Sequence, residues 1–202
     1  MARRSDHTPE ELKALVVDTT IQLIEESGLA KVTARQIAQA IGYTPGTLYT
    51  HFANLDDIFL HVNARSLAEL RAFILDHLEK TQDSGKGSLV EMGLAYLAFA
   101  EANPHKFQLL FTPRLEKGVL PPEFLQDEID QLFSLLTERL ASIAPADAAT
   151  LEVGARALWS GVHGAASLSM ADQLFTNMPN VEPEILELLI NQFATAWALR
   201  AS

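Results

Sequence analysis

Residues Ile41 to Phe52 read IGYTPGTLYTHF, a run of hydroxyls, rings and small residues without one Asp, Glu, Lys or Arg. The uncharged interval is longer, from Gln36 to Leu55, in a chain that is 20% charged overall. Its threonines and tyrosines make it too polar for a core. The chemistry that fits is contact with a nucleic-acid groove. Small residues such as Gly46 let a backbone approach base edges, and a threonine methyl can meet a thymine methyl. The rings of Tyr43, Tyr49 and His51 can reach phosphate oxygens, as can backbone N–H groups exposed at helix starts. A carboxylate anywhere in the interval would face phosphate, which gives its absence a physical reason.

Helix punctuation around the interval supplies the elements that would hold it. Thr8-Pro9-Glu10-Glu11 is a capping box with proline at the first helical position, and Gly28 is placed to end that helix. Thr33-Ala34-Arg35-Gln36 is a second capping box, opening a short helix that ends at Gly42. Thr44-Pro45 starts a third, expected to run to about Phe52, and Asn54 with Asp56 and Asp57 caps a long fourth. Two short helices joined by a tight turn suggest a helix-turn-helix, whose packing needs can be checked. The first helix needs a small residue at the crossing, Ala38. The turn needs a left-handed residue, Gly42. The second helix must return an apolar residue, Leu48, with Ile37, Ile41 and Phe52 beneath. The outward set is then Thr33, Arg35, Tyr43, Thr44, Pro45, Gly46, Thr47, Tyr49, Thr50 and His51, with Arg35 the one fixed cation and Arg3–Arg4 a tail that can add to it.

The stretch VTARQIAQAIGYTPGTLYTHFANLDDIFLHV resembles the DNA-binding domain of TetR-family transcriptional regulators. It carries T-x-x-x-I-A, a glycine, G-T-L-Y-x-H-F and then a helix start. The resemblance covers roughly residues 8–62. It implies an all-α homodimer that binds a double-stranded operator, with an effector domain after the head. By position, Thr33, Arg35, Tyr43, Thr44, Gly46, Thr47, Tyr49 and His51 match the family's DNA-facing residues. Many members carry a phosphate-contacting lysine at the start of the fourth helix; Leu55 stands there in this chain.

Beyond residue 54 the chain reads as further helices, near 88–102, 104–111, 122–143, 147–175 and 183–199, about nine in all. Residues 1–54 are expected to form the three-helix head and 55–202 an effector-binding and dimerisation bundle. Ala157 to Ala171 carries no formal charge, and the last helix shows two apolar stripes. Helices apolar on more than one side serve more than one packing surface. The resemblance implies a dimer through the last two long helices, for which Trp159, Gly161, Gly164, Leu168, Leu186, Ile190 and Trp197 are suitable. The segment WSGVHG also resembles a tryptophan-histidine-glycine signature in one group of TetR-type C-terminal domains. His163 with Trp159 could contact an effector; equally, His163 could bond a backbone carbonyl or its dimer mate. Phe107, Leu110 and Phe111 could line an apolar cavity or be plain core.

The bulk numbers exclude several classes. Without cysteine there is no disulfide framework or Cys-based zinc site. His61, His77 and His105 are scattered and lack metal-ligand spacing, so neither a metal nor another cofactor is expected. Ser160, His163 and Asp172 do not form a nucleophile–base–orienter set, and no glycine-rich phosphate loop is present, so no enzyme is expected. There is no signal-peptide pattern or membrane-spanning run, and the expected location is cytoplasmic. The net charge of −11 is unevenly spread: residues 1–52 hold five basic and six acidic side chains, the remainder ten and twenty. An acidic remainder keeps such a protein soluble and weakens non-specific DNA binding.

Overall fold

The computed structural model describes residues 7–80, 85–110, 119–171 and 181–201. Among them are nine α-helices, two single 3-10 turns and no strand. The helices are α1 (Pro9–Ser27), α2 (Ala34–Ala40), α3 (Pro45–Leu48), α4 (Leu55–Glu79), α5 (Lys86–Ala102), α6 (Pro104–Leu109), α7 (Glu123–Ile143), α8 (Ala148–Met170) and α9 (Glu182–Ala198). Packing divides the chain into two compact units. One comprises residues to Ser66 together with His105–Gln126; the other comprises Leu67–Pro104 and Asp127–Ser202. The first unit thus extends past residue 54 and includes a segment from the middle of the chain.

Its helices begin where the capping residues place them. Thr8 Oγ1 accepts from the Glu11 N–H at 3.2 Å, and Glu11 Oε2 accepts from the Thr8 N–H at 2.7 Å. The same reciprocal pair joins Thr33 and Gln36 at the start of α2. Each such cap is worth about 1 kcal/mol. The core of this unit draws Val16 and Ile24 from α1, Ile37 and Ala38 from α2, Leu48 from α3, and Ile58 and Val62 from α4. Leu109 of α6 is fully buried in the same cluster, and Lys106 pairs with Glu25 of α1 at 3.0 Å.

In the second unit α5 and α8 both pack on α9. Glycines set how closely. A Cβ at Gly93 of α5 would collide with Ile190, one at Gly161 of α8 would lie 2.9 Å from Leu189 Cδ1, and one at Gly154 would lie 2.5 Å from Trp197 Cζ3. Trp197 cannot swing aside cheaply, because its indole N–H donates to the Leu140 carbonyl at 3.0 Å in a buried setting. Leu186, Ile190 and Trp197, expected on a partner-facing stripe, are therefore covered within their own unit. Ile190 and Trp197 point into the seam that Gly93 and Gly154 open.

Gly154→Val would overpack this seam. It should destabilise the protein by about 1–3 kcal/mol despite valine's better helix propensity, and lower the thermal midpoint by roughly 5 °C. An unchanged midpoint in a melting experiment would mean that α8 and α9 do not approach so closely.

Candidate nucleic-acid interface

The angle between α2 and α3 is fixed locally. Ala38 is fully buried at the crossing, and its carbonyl accepts from the Tyr43 N–H at 2.8 Å. Between them Gly42 adopts φ +74°, a left-handed conformation that disfavours a Cβ even though the surrounding space is open. Leu48 returns into the core fully buried, and Phe52 is 2% exposed. α3 is shorter than expected. After Leu48 three-residue bonds, Thr50 N–H to Thr47 O and His51 N–H to Leu48 O, mix with the four-residue bond from Phe52 N–H to Leu48 O, and the segment reaches Phe52 as turns.

This geometry leaves one edge outward. Thr33, Arg35, Thr44, Pro45, Gly46, Tyr49 and Thr50 are exposed, while Tyr43, Thr47 and His51 are half-buried. The threonine hydroxyls are partly committed: Thr44 and Thr47 pair at 3.1 Å, and Thr50 donates to the Thr47 carbonyl at 2.7 Å. Thr44 occupies the cap position of α3 without making a side-chain cap bond. Arg35 takes part in no ion pair among the described residues, so its guanidinium is available to an external anion. Gly46 has an ordinary negative φ, and a Cβ there would meet only Thr44 Oγ1 at 3.8 Å. The fold itself does not need a glycine at that position.

Two histidines that sequence reasoning left aside flank this edge. His7 Nδ1 lies 3.0 Å from the Tyr43 hydroxyl, which ties the segment before α1 to the turn. His61 of α4 packs edge-on to Phe52, at 5.3 Å between ring centroids. Contacts spanning such separations in the chain carry no local sequence signal. Leu55, where family members often carry lysine, packs partly buried against the head core. Arg3 and Arg4 lie outside the described residues.

The expected effector residues divide between the two units. Phe107 is buried and Leu110 half-buried in the first, and Phe111 lies outside the described residues. In the second unit, the Trp159 ring stacks on His163 at 5.1 Å and 9°, and Phe133 meets Trp159 edge-on. His163 Nδ1 lies 3.0 Å from the Tyr96 hydroxyl, and Nε2 lies 3.2 Å from Ser167 Oγ. Its partners are thus side chains of its own unit. Burial pushes the Tyr96 phenol far above the ordinary tyrosine range, against a smaller opposing effect of its hydrogen bond with Trp159. A phenol that stays protonated can donate to Nδ1, leaving the Nε2–H for Ser167. Burial also lowers the His163 pKa, favouring the neutral ring. Of the other residues considered for a partner surface, Gly164 has open space around it and Leu168 is exposed.

Residues 16–62 match the family model described as bacterial regulatory proteins, tetR family. Residues 89–193, just over half the chain, match the tetracyclin repressor-like C-terminal domain. The HTH-type transcriptional regulator AcrR of Shigella flexneri is 26% identical over 80 residues, which cover 40% of this chain and 37% of AcrR. The match therefore spans little more than a third of that relative. A Rhodococcus sp. RHA1 protein of unknown function shares the fold with a TM-score of 0.74 at 17% identity, covering 98% of this chain and 100% of that one. A TetR-family transcriptional regulator from Streptomyces coelicolor gives 0.63 at 19% identity, covering 94% and 99%.

The lowered pKa of His163 has a signed consequence. Its neutral form is favoured in the folded state, so its contribution is intact above the unfolded value of about 6.5 and is lost as pH falls through the folded value. Thermal midpoints measured from pH 7.5 down to 5.5 should fall, and fall less steeply in His163→Gln. Parallel slopes would show that His163 is not the titrating group.

Proposed function

The chain belongs to the TetR family of bacterial regulatory proteins, and from that premise we propose that it is a dimeric repressor of transcription that binds a palindromic operator and is released by a small-molecule effector held in the second unit. The observation that carries the DNA-contacting part is Gly46. It sits on an exposed edge without acidic residues, and neither backbone conformation nor the surrounding packing calls for a glycine. Close approach of an external surface is the remaining physical use for the missing side chain. DNA offers that surface, with phosphates for Arg35 and base edges for Thr44, Thr47 and Tyr49.

A two-fold dimer supports the palindrome, since two identical heads read two identical half-sites. Along α8, Val153, Ala157, Ser160, Gly164 and Leu168 recur at helical spacing as an uncharged stripe, with Val153 69% exposed. On α9 Leu188 is 63% exposed, and Leu199, in the 3-10 turn that follows the helix, is 69% exposed. These residues, in place of Leu186, Ile190 and Trp197, are the surface we assign to the partner subunit. An effector acts only if it binds the DNA-competent and released conformations with different affinity. The Trp159–His163 pair, with an aromatic face and a polar edge, is our assignment for effector contact.

Gly46→Ala separates the external role of this glycine from folding. The helix should gain stability, by up to about 1 kcal/mol, while operator affinity falls. Unchanged affinity in a gel-shift titration would remove Gly46 from the interface. Arg35→Glu should abolish binding while sedimentation still reports the dimer. Arg35→Gln should reduce the slope of log K against log salt by about 2, one phosphate per head. A slope equal to that of the unsubstituted protein would take Arg35 off the phosphate backbone.

A further inference from the structure

We propose that the stacked pair His61–Phe124 is a positioning element for the DNA-contacting edge, through which the first turn of α7 holds the far end of the α3 segment in place. The inference rests on the reading of that edge as a DNA surface, and it adds a residue pair that touches neither DNA nor effector.

The two rings lie 4.0 Å apart between centroids and within 3° of parallel. The other side of the contact is Phe52, which meets His61 edge-on at 83°. Phe52 is the last fixed point of the α3 segment: its side chain is 2% exposed and its N–H donates to the Leu48 carbonyl at 3.0 Å. The following turn is held by two bonds of Asp57. Asp57 accepts from the Ala53 N–H at 2.8 Å, and the Asp57 N–H donates to Asn54 Oδ1 at 2.8 Å. His61 Nε2 stands 4.0 Å from the same Asp57 carboxylate. One ring therefore touches both devices that end the DNA-contacting segment, and Phe124 lies against that ring.

Phe124 is not held by local sequence. It comes from His105–Gln126, the segment that packs with the head although it lies about sixty residues away along the chain. Leu109, buried in the head core, and the Lys106–Glu25 pair anchor the same segment. α7 runs from Glu123 to Ile143, with Phe124 in its first turn. A displacement or rotation of its first turn would withdraw the Phe124 face, leaving His61 and then Phe52 free to shift. His61 is largely uncharged at neutral pH because its partial burial lowers its pKa, an effect opposed by Asp57 and reinforced by Lys13.

The test combines amide hydrogen exchange with operator affinity for His61→Ala, Phe124→Ala, the double variant and His61→Phe. Each alanine variant should speed exchange of the Thr50–Asp57 amides and weaken operator binding, both by about tenfold. The double variant should be no worse than His61→Ala, because that substitution already removes the contact that Phe124 makes. His61→Phe keeps a ring for both neighbours and should restore exchange and affinity. Wild-type exchange and affinity in both alanine variants would overturn the proposal, as would additive losses. So would equal acceleration in α1 at Val16–Ile24, which would indicate general destabilisation. If the unsubstituted protein bound no operator, the regulator reading would fail, and the exchange measurements would still decide the coupling.

Discussion

The structure of the head depends on one backbone constraint, the left-handed turn at Gly42. With φ at +74° the chain reverses in three residues, and the Tyr43 N–H reaches the Ala38 carbonyl. That bond and the methyl-sized gap at Ala38 set the crossing of two short helices. Neither helix is long enough to be stable alone in water. Their order comes from burying Ile37 and Leu48 against α1 and α4. Once the angle is set, the side chains between Thr44 and Thr50 have little choice. Leu48 turns inward, and the edge of small and hydroxylated residues turns out.

The capping boxes at Thr8 and Thr33, the turn at Gly42 and the inward Leu48 were legible in the sequence because each depends on residues within six positions of one another. The signals that failed were long-range. Nothing in the neighbourhood of Trp197 indicates that its indole bonds to Leu140, fifty-seven positions earlier. Of the two apolar stripes of α9, the one with Leu186, Ile190 and Trp197 reads as partner-facing from sequence. The close approach of Gly93 to Ile190 and of Gly154 to Trp197, with the burial of Leu186, shows that the subunit covers this stripe itself. The overestimate of α3 has a different origin. No breaker follows Leu48, and the tightening into turns answers to Phe52 being buried and Asn54 opening the next helix. The Tyr96 and Ser167 side chains that hold the His163 ring are likewise not signalled by the residues around WSGVHG, Tyr96 lying sixty-seven positions away.

The two units handle polarity in different ways. The head keeps the edge around α3 free of acids, and Arg35 makes no ion pair among the described residues, which favours an anionic partner without a strong field. The second unit carries most of the negative charge and encloses a chain of neutral hydrogen bonds, Tyr96 to His163 to Ser167, among aromatic rings. Buried polar groups cost little when each has a partner, and such networks define one arrangement of the surrounding helices. A site whose internal partners are already satisfied responds to a ligand only by exchanging them. A difference in affinity between two conformations can arise in that way.

The central claim is that the acid-free edge from Thr33 to His51 reads DNA, and the most direct measurement is a footprint of the purified protein on DNA flanking its own gene over a range of salt concentrations. A protected palindrome whose protection weakens as salt rises is the predicted result. No protected site at any salt concentration, from protein that is folded and dimeric, would contradict it.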